Sequence, residues 1–401
     1  MILYADDRIL HQTHFCQNET RLYDGSVNMK YTLLLTQRCN LACPYCYIGK
    51  RNSRMSIEVA DRIIDFAYRN TSPGEKIDVG FFGGEPLLEF ELLKEITHRF
   101  KAHRQFDESR VLFTLVTNGT IFSSDIADFV EKHKIGFGIS CDGPPVVHDL
   151  SRRSANGQPS SEIVERTIRQ AIAAFSGVMV NAVYCPQTLM HLPETVEYLS
   201  SLGVRQIYLN PDFTARWTDV EIQLLPEVYR KIGEHYIDYY RQRDPHFISL
   251  IDSKIAVILR QGYHSLERCR MGCGEFAFSP EGNIYPCERL VGDGTNGHCI
   301  GDIYAGIQLE RLQCRRLSGD SLNQECLDCG LKDYCMNWCG CSNYFSSGYY
   351  NRVSPFLCAS ERTAIQTAFN VFQVLERDCE DCFFDHLGGV PLVNSLLHAL
   401  R

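Results

Sequence analysis

A chain of 401 residues with 44% hydrophobic side chains is long enough to bury a sizeable core and to divide into two or more domains, which excludes a disordered polymer. Its 40 basic and 49 acidic residues leave a net charge of -9 with no block of like charges, so nucleic acid is not an expected partner. Nineteen cysteines without a secretory signal or an apolar run of membrane-spanning length point to thiolate ligands in a reducing, cytoplasmic setting, with no disulfide scaffold and no membrane.

Residues 1–30 read as an N-terminal extension. Strands are predicted at Tyr31–Thr36, Ile77–Phe82, Val111–Val116, Gly136–Ser140, Val178–Tyr184 and Gln206–Leu209, each rich in β-branched, aromatic or leucine side chains. Helix-length segments separate them. In the first, Ser56 is placed to cap a helix whose Ile57, Ala60, Ile63, Ile64 and Ala67 fall at helical spacing, and Ser72-Pro73-Gly74 stops it. Val164, Ile168, Ala171, Ile172 and Phe175 repeat the pattern. Six β-α units in this order predict an α/β fold with a parallel sheet and right-handed crossovers, either an incomplete (β/α)6 barrel or a doubly wound sheet. Function belongs on the loops after the strands. Helices at about Glu221–Arg241 and Phe247–Gln261 close this first domain, 31–265. The next stretch, 266–365, holds eleven cysteines from Cys269 to Cys358, many glycines and few apolar runs, and reads as a small domain organised by metal. A helical tail, 366–401, follows.

Cys39-x3-Cys43-x2-Cys46 stands directly after the first strand. Three thiolates on one short loop can hold three irons of a cubane cluster and leave the fourth iron open to a small molecule. A structural zinc site is the alternative, but it closes with four ligands, and no fourth Cys or His lies nearby in sequence. With the aromatic Tyr45 immediately before its third cysteine, the loop resembles the signature of the radical S-adenosylmethionine (radical SAM) superfamily. The resemblance implies that S-adenosylmethionine chelates the open iron and that one-electron reduction cleaves it to a 5′-deoxyadenosyl radical.

Further motifs follow in the superfamily's order. Gly83-Gly84-Glu85-Pro86, after the second strand, resembles the motif that contacts the methionine amino group; glycines permit close backbone approach to a ligand, and a carboxylate can accept from an ammonium. Ser140-Cys141-Asp142-Gly143-Pro144 resembles the ribose-binding segment, with Ser140 as the residue carried over. Arg152, in His148-Asp149-Leu150-Ser151-Arg152, is similar to a residue that places a cation near the cosubstrate carboxylate, although an arginine in a polar loop is more often merely solvated. Asn118-Gly119 reads as an adenosine contact or as a plain turn.

Cys326-x2-Cys329-x5-Cys335-x3-Cys339, with Cys358 downstream, matches the second half of the SPASM domain found after certain radical SAM barrels. Cys269, Cys273 and Cys287, with Gly282 before the last, resemble its first half. The resemblance implies a partial (β/α)6 TIM-like barrel followed by a cysteine-rich SPASM domain, and three [4Fe-4S] clusters in all. One auxiliary cluster would take Cys269, Cys273, Cys287 and Cys339, the other Cys326, Cys329, Cys335 and Cys358. From spacing alone a pair of zinc ribbons is the alternative, and Cys341 competes with Cys339. Cys379-x2-Cys382 reads as a redox pair, another metal site or two thiols on a terminal helix. Cys16, Cys141, Cys185, Cys299 and Cys314 read as small buried residues, and Phe383-Phe384-Asp385-His386 resembles the end of related maturases.

SPASM relatives include sulfatase maturases, which oxidise Cys or Ser to formylglycine, and maturases that install thioether or carbon–carbon crosslinks in ribosomal peptides (RiPP maturation). The resemblance therefore implies an oxidoreductase acting on a peptide or protein, supplied by a one-electron donor such as flavodoxin or ferredoxin. Sulfatase maturases carry an Asp base after the cysteine equivalent to Cys287. Here Glu288 stands there as the catalytic candidate, with simple pairing to Arg289 or another cation as the alternative. About 30 residues precede Tyr31, fewer than the leader-binding domain of about 80 residues that many peptide maturases carry. Leader recognition would then need a separate leader-peptide-binding protein, the barrel surface, or no leader. Peptide crosslinking is the favoured chemistry and formylglycine formation the second. A non-catalytic iron–sulfur electron carrier is the alternative from another class.

Overall fold

The computed structural model describes residues 28–263, 269, 271–292, 297–312, 323–336 and 339–389. Cys16, Cys314, most of the 1–30 extension and the end of the tail lie outside the described residues. Strands and helices alternate as expected: β1 (Asn28–Thr36), α1 (Ile57–Asn70), β2 (Lys76–Gly83), α2 (Phe90–Ala102), β3 (Val111–Thr117), α3 (Ser124–His133), β4 (Gly136–Ser140), α4 (Pro145–Ser151), α5 (Ser161–Ala174), β5 (Met179–Tyr184), α6 (Leu192–Ser201), β6 (Gln206–Pro211) and α7 (Asp219–Arg241). The β1/β2, β4/β5 and β5/β6 ladders are parallel, the pairing that helical crossovers produce. The described chain is thus mixed α/β, with the six β/α units of a partial TIM-like barrel.

Contacts divide the chain into two units, and the division falls within β3, between Thr114 and Leu115. The first unit comprises the chain up to Arg38, Ile48–Thr114 and Arg270–Leu312. Its strand order is β11-β10-β9-β8-β1-β2 and the first half of β3, where β8 (Glu275–Phe278), β9 (Asn283–Tyr285), β10 (Gly301–Asp302) and β11 (Gly306–Ile307) come from the cysteine-rich half of the sequence. β8 runs parallel to β1, Lys30 opposite Glu275 and Leu33 opposite Phe278. An aromatic cluster covers this pairing: Phe66 of α1 meets the rings of Phe276 and Phe278 edge-on at 5.7 and 5.5 Å, and Tyr31 stacks beside them. Ser56 caps α1 by accepting from Val59 N, and the buried Val59, Ala60, Ile63, Ile64, Phe66 and Ala67 follow the helical period.

The second unit comprises Cys39–Tyr47, Leu115–Cys269 and Gln313–Arg401. Within it, β4, β5, β6 and β7 (Phe247–Ile248) lie in that order. The stretch predicted as one helix from Phe247 therefore begins as a strand. Phe247 N bonds to Arg205 O beside β6, and α8 (Ser249–Leu259) starts where Asp252 accepts from Ile248 N at 2.7 Å. After α9 (Gln324–Leu327) and α10 (Gly340–Ser347), the long α11 (Pro355–Asp378) packs on α7 and α8. Trp217 stacks on Phe356 at 3.6 Å, and Tyr184, Tyr229 and Ser360 join their hydroxyls at 2.9 and 2.8 Å in the buried seam. α12 (Glu380–Gly389) closes the described chain. No helix among the described residues is long and apolar enough to cross a membrane.

Candidate functional site

The Cys39–Tyr47 loop leaves the end of β1 and is tied down at its middle. Leu41 forms an antiparallel bridge with Ser154, and Ala42 N donates to Arg153 O at 2.6 Å. None of the three cysteines is in a disulfide; Cys39 and Cys43 are partly covered and Cys46 is exposed. Donors point at the first sulfur: Leu41 N lies 3.4 Å and Asn118 Nδ2 3.7 Å from Cys39 Sγ. Asn118, after β3, also donates to Asn40 Oδ1 at 2.8 Å while its own oxygen accepts from Thr120 N. Asn118-Gly119 is therefore a turn that also braces the cysteine loop.

Behind the loop lies a buried charge cluster. Asp142, two residues after β4, brings Oδ1 within 3.0 Å of Arg152 Nε, accepts from Val183 N at 2.9 Å, and receives the Tyr45 hydroxyl on Oδ2. Asp142 and Arg152 are only 4% and 6% exposed, so the reading of Arg152 as a solvated loop residue does not hold. α4 ends at Ser151 and delivers Arg152 into the interior, its guanidinium 5.4 Å from the centre of the Tyr45 ring. Burial works to lower the Arg152 pKa, but Asp142 overrides it and holds the cation firmly charged. Burial pushes the Cys43 thiol up while Arg152 pulls it down. Burial prevails, so the Cys43 thiol lies above its ordinary pKa. Ser140 sits at the last position of β4, opposite Asn181 of β5.

In the first unit, Gly83 and Gly84 close on the end of β1. Gly83 has φ +139°, and a Cβ there would lie 2.3 Å from Thr36 O; at Gly84 it would lie 2.1 Å from Arg38 O. The glycines are required by main chain meeting main chain, with Gly84 N on Thr36 O and Glu85 N on Arg38 O at 2.8 Å, and this adds to the expected approach to a ligand. Glu85 is fully buried and caps the short helical turn Pro86–Glu89 by accepting from Leu87 N at 2.9 Å. Glu288, directly after the buried Cys287, accepts from Lys30 Nζ at 2.9 Å and Thr32 Oγ1 at 3.2 Å, both on β1. Burial pushes its carboxyl up, but Lys30, Arg289 and Thr32 more than compensate and leave it below the usual range. Its partner is thus Lys30, with Arg289 contributing at longer range.

The C-terminal thiols separate into two groups. Cys326, Cys329, Cys335 and Cys358 all line one cavity of about 660 Å³ in the second unit. Cys326 lies on α9 and Cys358 in the first turn of α11, with the other two on short turns. One turn beyond Cys358, Glu361 Oε2 accepts from Lys254 Nζ of α8 at 2.5 Å and from Met336 N, next to Cys335, at 2.8 Å. Lys254 stays charged there because Glu361 outweighs the effect of burial. Of the other set, Cys269 and Cys339 fall in the second unit and Cys273 and Cys287 in the first. Cys339 Sγ lies 3.2 Å from Sγ of the buried Cys341, so the two competing candidates are neighbours. Cys379 and Cys382 are free and partly covered at the junction of α11 and α12.

A profile of the radical SAM superfamily matches residues 33–212. A serine-type anaerobic sulfatase-maturating enzyme of Bacteroides thetaiotaomicron is 31% identical over 375 residues, which span 80% of this chain and 87% of the relative. The chain belongs to the radical SAM superfamily. A structure of anSMEcpe with bound AdoMet and Cp18Cys peptide matches this radical SAM enzyme with a TM-score of 0.70 at 19% identity, covering 87% of this chain and 99% of that one. Streptococcus suis SuiB bound to precursor peptide SuiA matches with a TM-score of 0.58 at 16% identity, covering 89% and 84%. These likenesses show the shared fold.

Superfamily membership implies a [4Fe-4S] cluster and S-adenosylmethionine, and it sets aside the non-catalytic electron carrier. The Cys39 loop of this radical SAM enzyme fits such a cluster: three thiols outside any disulfide share one braced loop, and N–H donors already face a sulfur, the contact that tunes iron–sulfur ligands. Among the described residues no three His, Cys, Asp or Glu side chains stand close enough to hold a single metal ion. Sequence reasoning did not single out Asp142, Lys30, Lys254 or Glu361 as partners. Asp142 stands inside a quoted motif, where an acid after an apolar strand was the available signal. The other three pair over 258 and 107 positions and leave no local trace.

Proposed function

We propose that this radical SAM enzyme is a maturase that oxidises a residue of a peptide or protein, and that its substrate chemistry is formylglycine formation on Cys or Ser. The observation that carries this reading is the 31% identity to a serine-type sulfatase maturase along 80% of the chain. When bound, the cluster and S-adenosylmethionine supply a 5′-deoxyadenosyl radical able to abstract hydrogen. Cys39, Cys43 and Cys46 would hold that cluster. Gly83, Gly84, Glu85, Pro86, Ser140 and Arg152 would orient the cosubstrate, with Arg152 facing its carboxylate. Cys326, Cys329, Cys335 and Cys358 would hold an auxiliary cluster, which their common cavity supports. The set Cys269, Cys273, Cys287 and Cys339 rests on the resemblance to the SPASM domain alone. Glu288 would take the proton of the substrate hydroxyl or thiol, and Lys30 and Thr32 would fix its orientation. An external flavodoxin or ferredoxin would supply electrons.

Glutamate at the position of the family's aspartate favours a second reading, crosslink formation in a ribosomal peptide. Anaerobic incubation of the reconstituted enzyme with S-adenosylmethionine, reductant and a Cys- or Ser-containing sulfatase peptide separates the two. Formylglycine formation gives an aldehyde that a hydrazide captures. Loss of two hydrogens from a peptide without hydrazide capture indicates a crosslink, and an unchanged peptide rejects the sulfatase reading.

A further inference from the structure

His148 and Ser160 have no part in the reading above, yet both are buried against its charge cluster, at 0% and 4% exposure. Asp142 N donates to His148 Nδ1 at 3.3 Å. That nitrogen is therefore an acceptor and carries no proton, so the ring proton belongs on Nε2. Nε2 lies 3.0 Å from Ser160 Oγ and donates to it; Ser160 Oγ then has its own proton for Arg152 O, 2.5 Å away. Arg152 N in turn donates to His148 O at 2.9 Å. The main chain of Arg152 is thus gripped at both its N–H and its carbonyl, and the same imidazole holds the main chain of its ion-pair partner.

We propose that His148, acting through Ser160, is a positioning residue that fixes Arg152 and Asp142 relative to each other and so aims the Arg152 cation. The neutral Nε2–H tautomer is the form that satisfies all three hydrogen bonds. A proton on Nδ1 would oppose the Asp142 N–H and add a second cation beside Arg152; burial, then Arg152, push the pKa of His148 down to about 4, in keeping with this. Ser160 precedes α5 without a side-chain capping bond, so its hydroxyl is committed to the relay and not to the helix. The inference rests on the reading of Arg152 as the group that faces the cosubstrate carboxylate.

The test is the Kd of S-adenosylmethionine on anaerobically reconstituted holoenzyme, measured well below the thermal midpoint of every variant, with iron content determined alongside. Arg152→Ala tests the underlying reading, and Ser160→Ala and His148→Gln test the relay. Loss of one aiming contact predicts about a tenfold weaker Kd for each relay variant, about 1.4 kcal/mol, with iron unchanged. Because Ser160 acts through Arg152, Ser160→Ala should add nothing in the Arg152→Ala background. If His148→Gln does not fold, Ser160→Ala alone decides. A lowered thermal midpoint with parental Kd, or a Ser160 effect that persists without Arg152, overturns the proposal. Parental binding by Arg152→Ala removes the reading beneath it as well, and is distinguished from a failed relay by that variant alone.

Discussion

The Cys39–Cys46 loop and the Cys326–Cys358 cavity both gather thiols in the second unit, by opposite means. The first loop hangs from strand ends: β1 delivers it, Leu41 bridges Ser154, and Asp142, after β4, receives Tyr45 from within the loop. Its geometry follows from the sheet. Around the cavity only Cys358 belongs to a long helix, Cys326 sits on a helix of one turn, and Cys329 and Cys335 sit on turns. One half-buried carboxylate, Glu361, ties Met336 to α8. In the first region strand ends set the positions of the thiols; in the second, short turns and a single ion pair do, which leaves more for an auxiliary cluster, if bound there as proposed, to organise.

This difference predicts unequal consequences of removing thiols. Replacing Cys39, Cys43 and Cys46 together should abolish 5′-deoxyadenosine formation and remove roughly four irons of about twelve, three cubanes' worth, while circular dichroism and the thermal midpoint hardly move. Cys358→Ala should instead cost hydrogen-exchange protection across 323–361 and abolish product, with part of the cosubstrate cleavage retained. Equal protection losses in both variants would erase the distinction. Glu288→Gln should slow product formation by about a hundredfold to ten-thousandfold with cleavage of the cosubstrate preserved; parental product rates would show that Glu288 serves only to pair Lys30.

Smaller effects sharpen the same comparison. Lys254→Met leaves the half-buried Glu361 beside the cavity without its cation and should destabilise the second unit by about 1 kcal/mol, measured by denaturant unfolding. In the first region the corresponding lever is pH. His148, held neutral with a pKa of about 4 against an ordinary 6.5, takes up its proton in the unfolded chain first. Its contribution is therefore present above pH 6.5 and lost as pH falls toward 4, about 3 kcal/mol at most. His148→Gln should flatten that part of the stability profile; an unaltered profile would show that the acid sensitivity arises elsewhere.

Periodicity and punctuation made much of the barrel legible. Gly136–Ser140 matched residue for residue, and Ser56 capped its helix, because strand alternation and capping are local. The cysteine loop was legible for the same reason, its three thiols lying within eight residues. Arg152 was not, since its burial depends on α4 turning it toward an aspartate ten residues back. Nor was the pairing of β8 with β1, or the bond from Glu288 to Lys30, which bring together segments some 245 to 258 positions apart. Spacing reveals ligands that share a loop; it is silent on partners that only the tertiary fold introduces.

The most direct measurement is 5′-deoxyadenosine and methionine release from anaerobically reconstituted enzyme given reductant and S-adenosylmethionine, run beside the Cys39, Cys43 and Cys46 triple variant. Stoichiometric release by the parental enzyme, stimulated by a substrate peptide and absent from the triple variant, is the predicted result. Release that persists in the triple variant, or its absence from a parental enzyme with a full complement of iron, would contradict the assignment of radical chemistry to the Cys39–Cys46 loop.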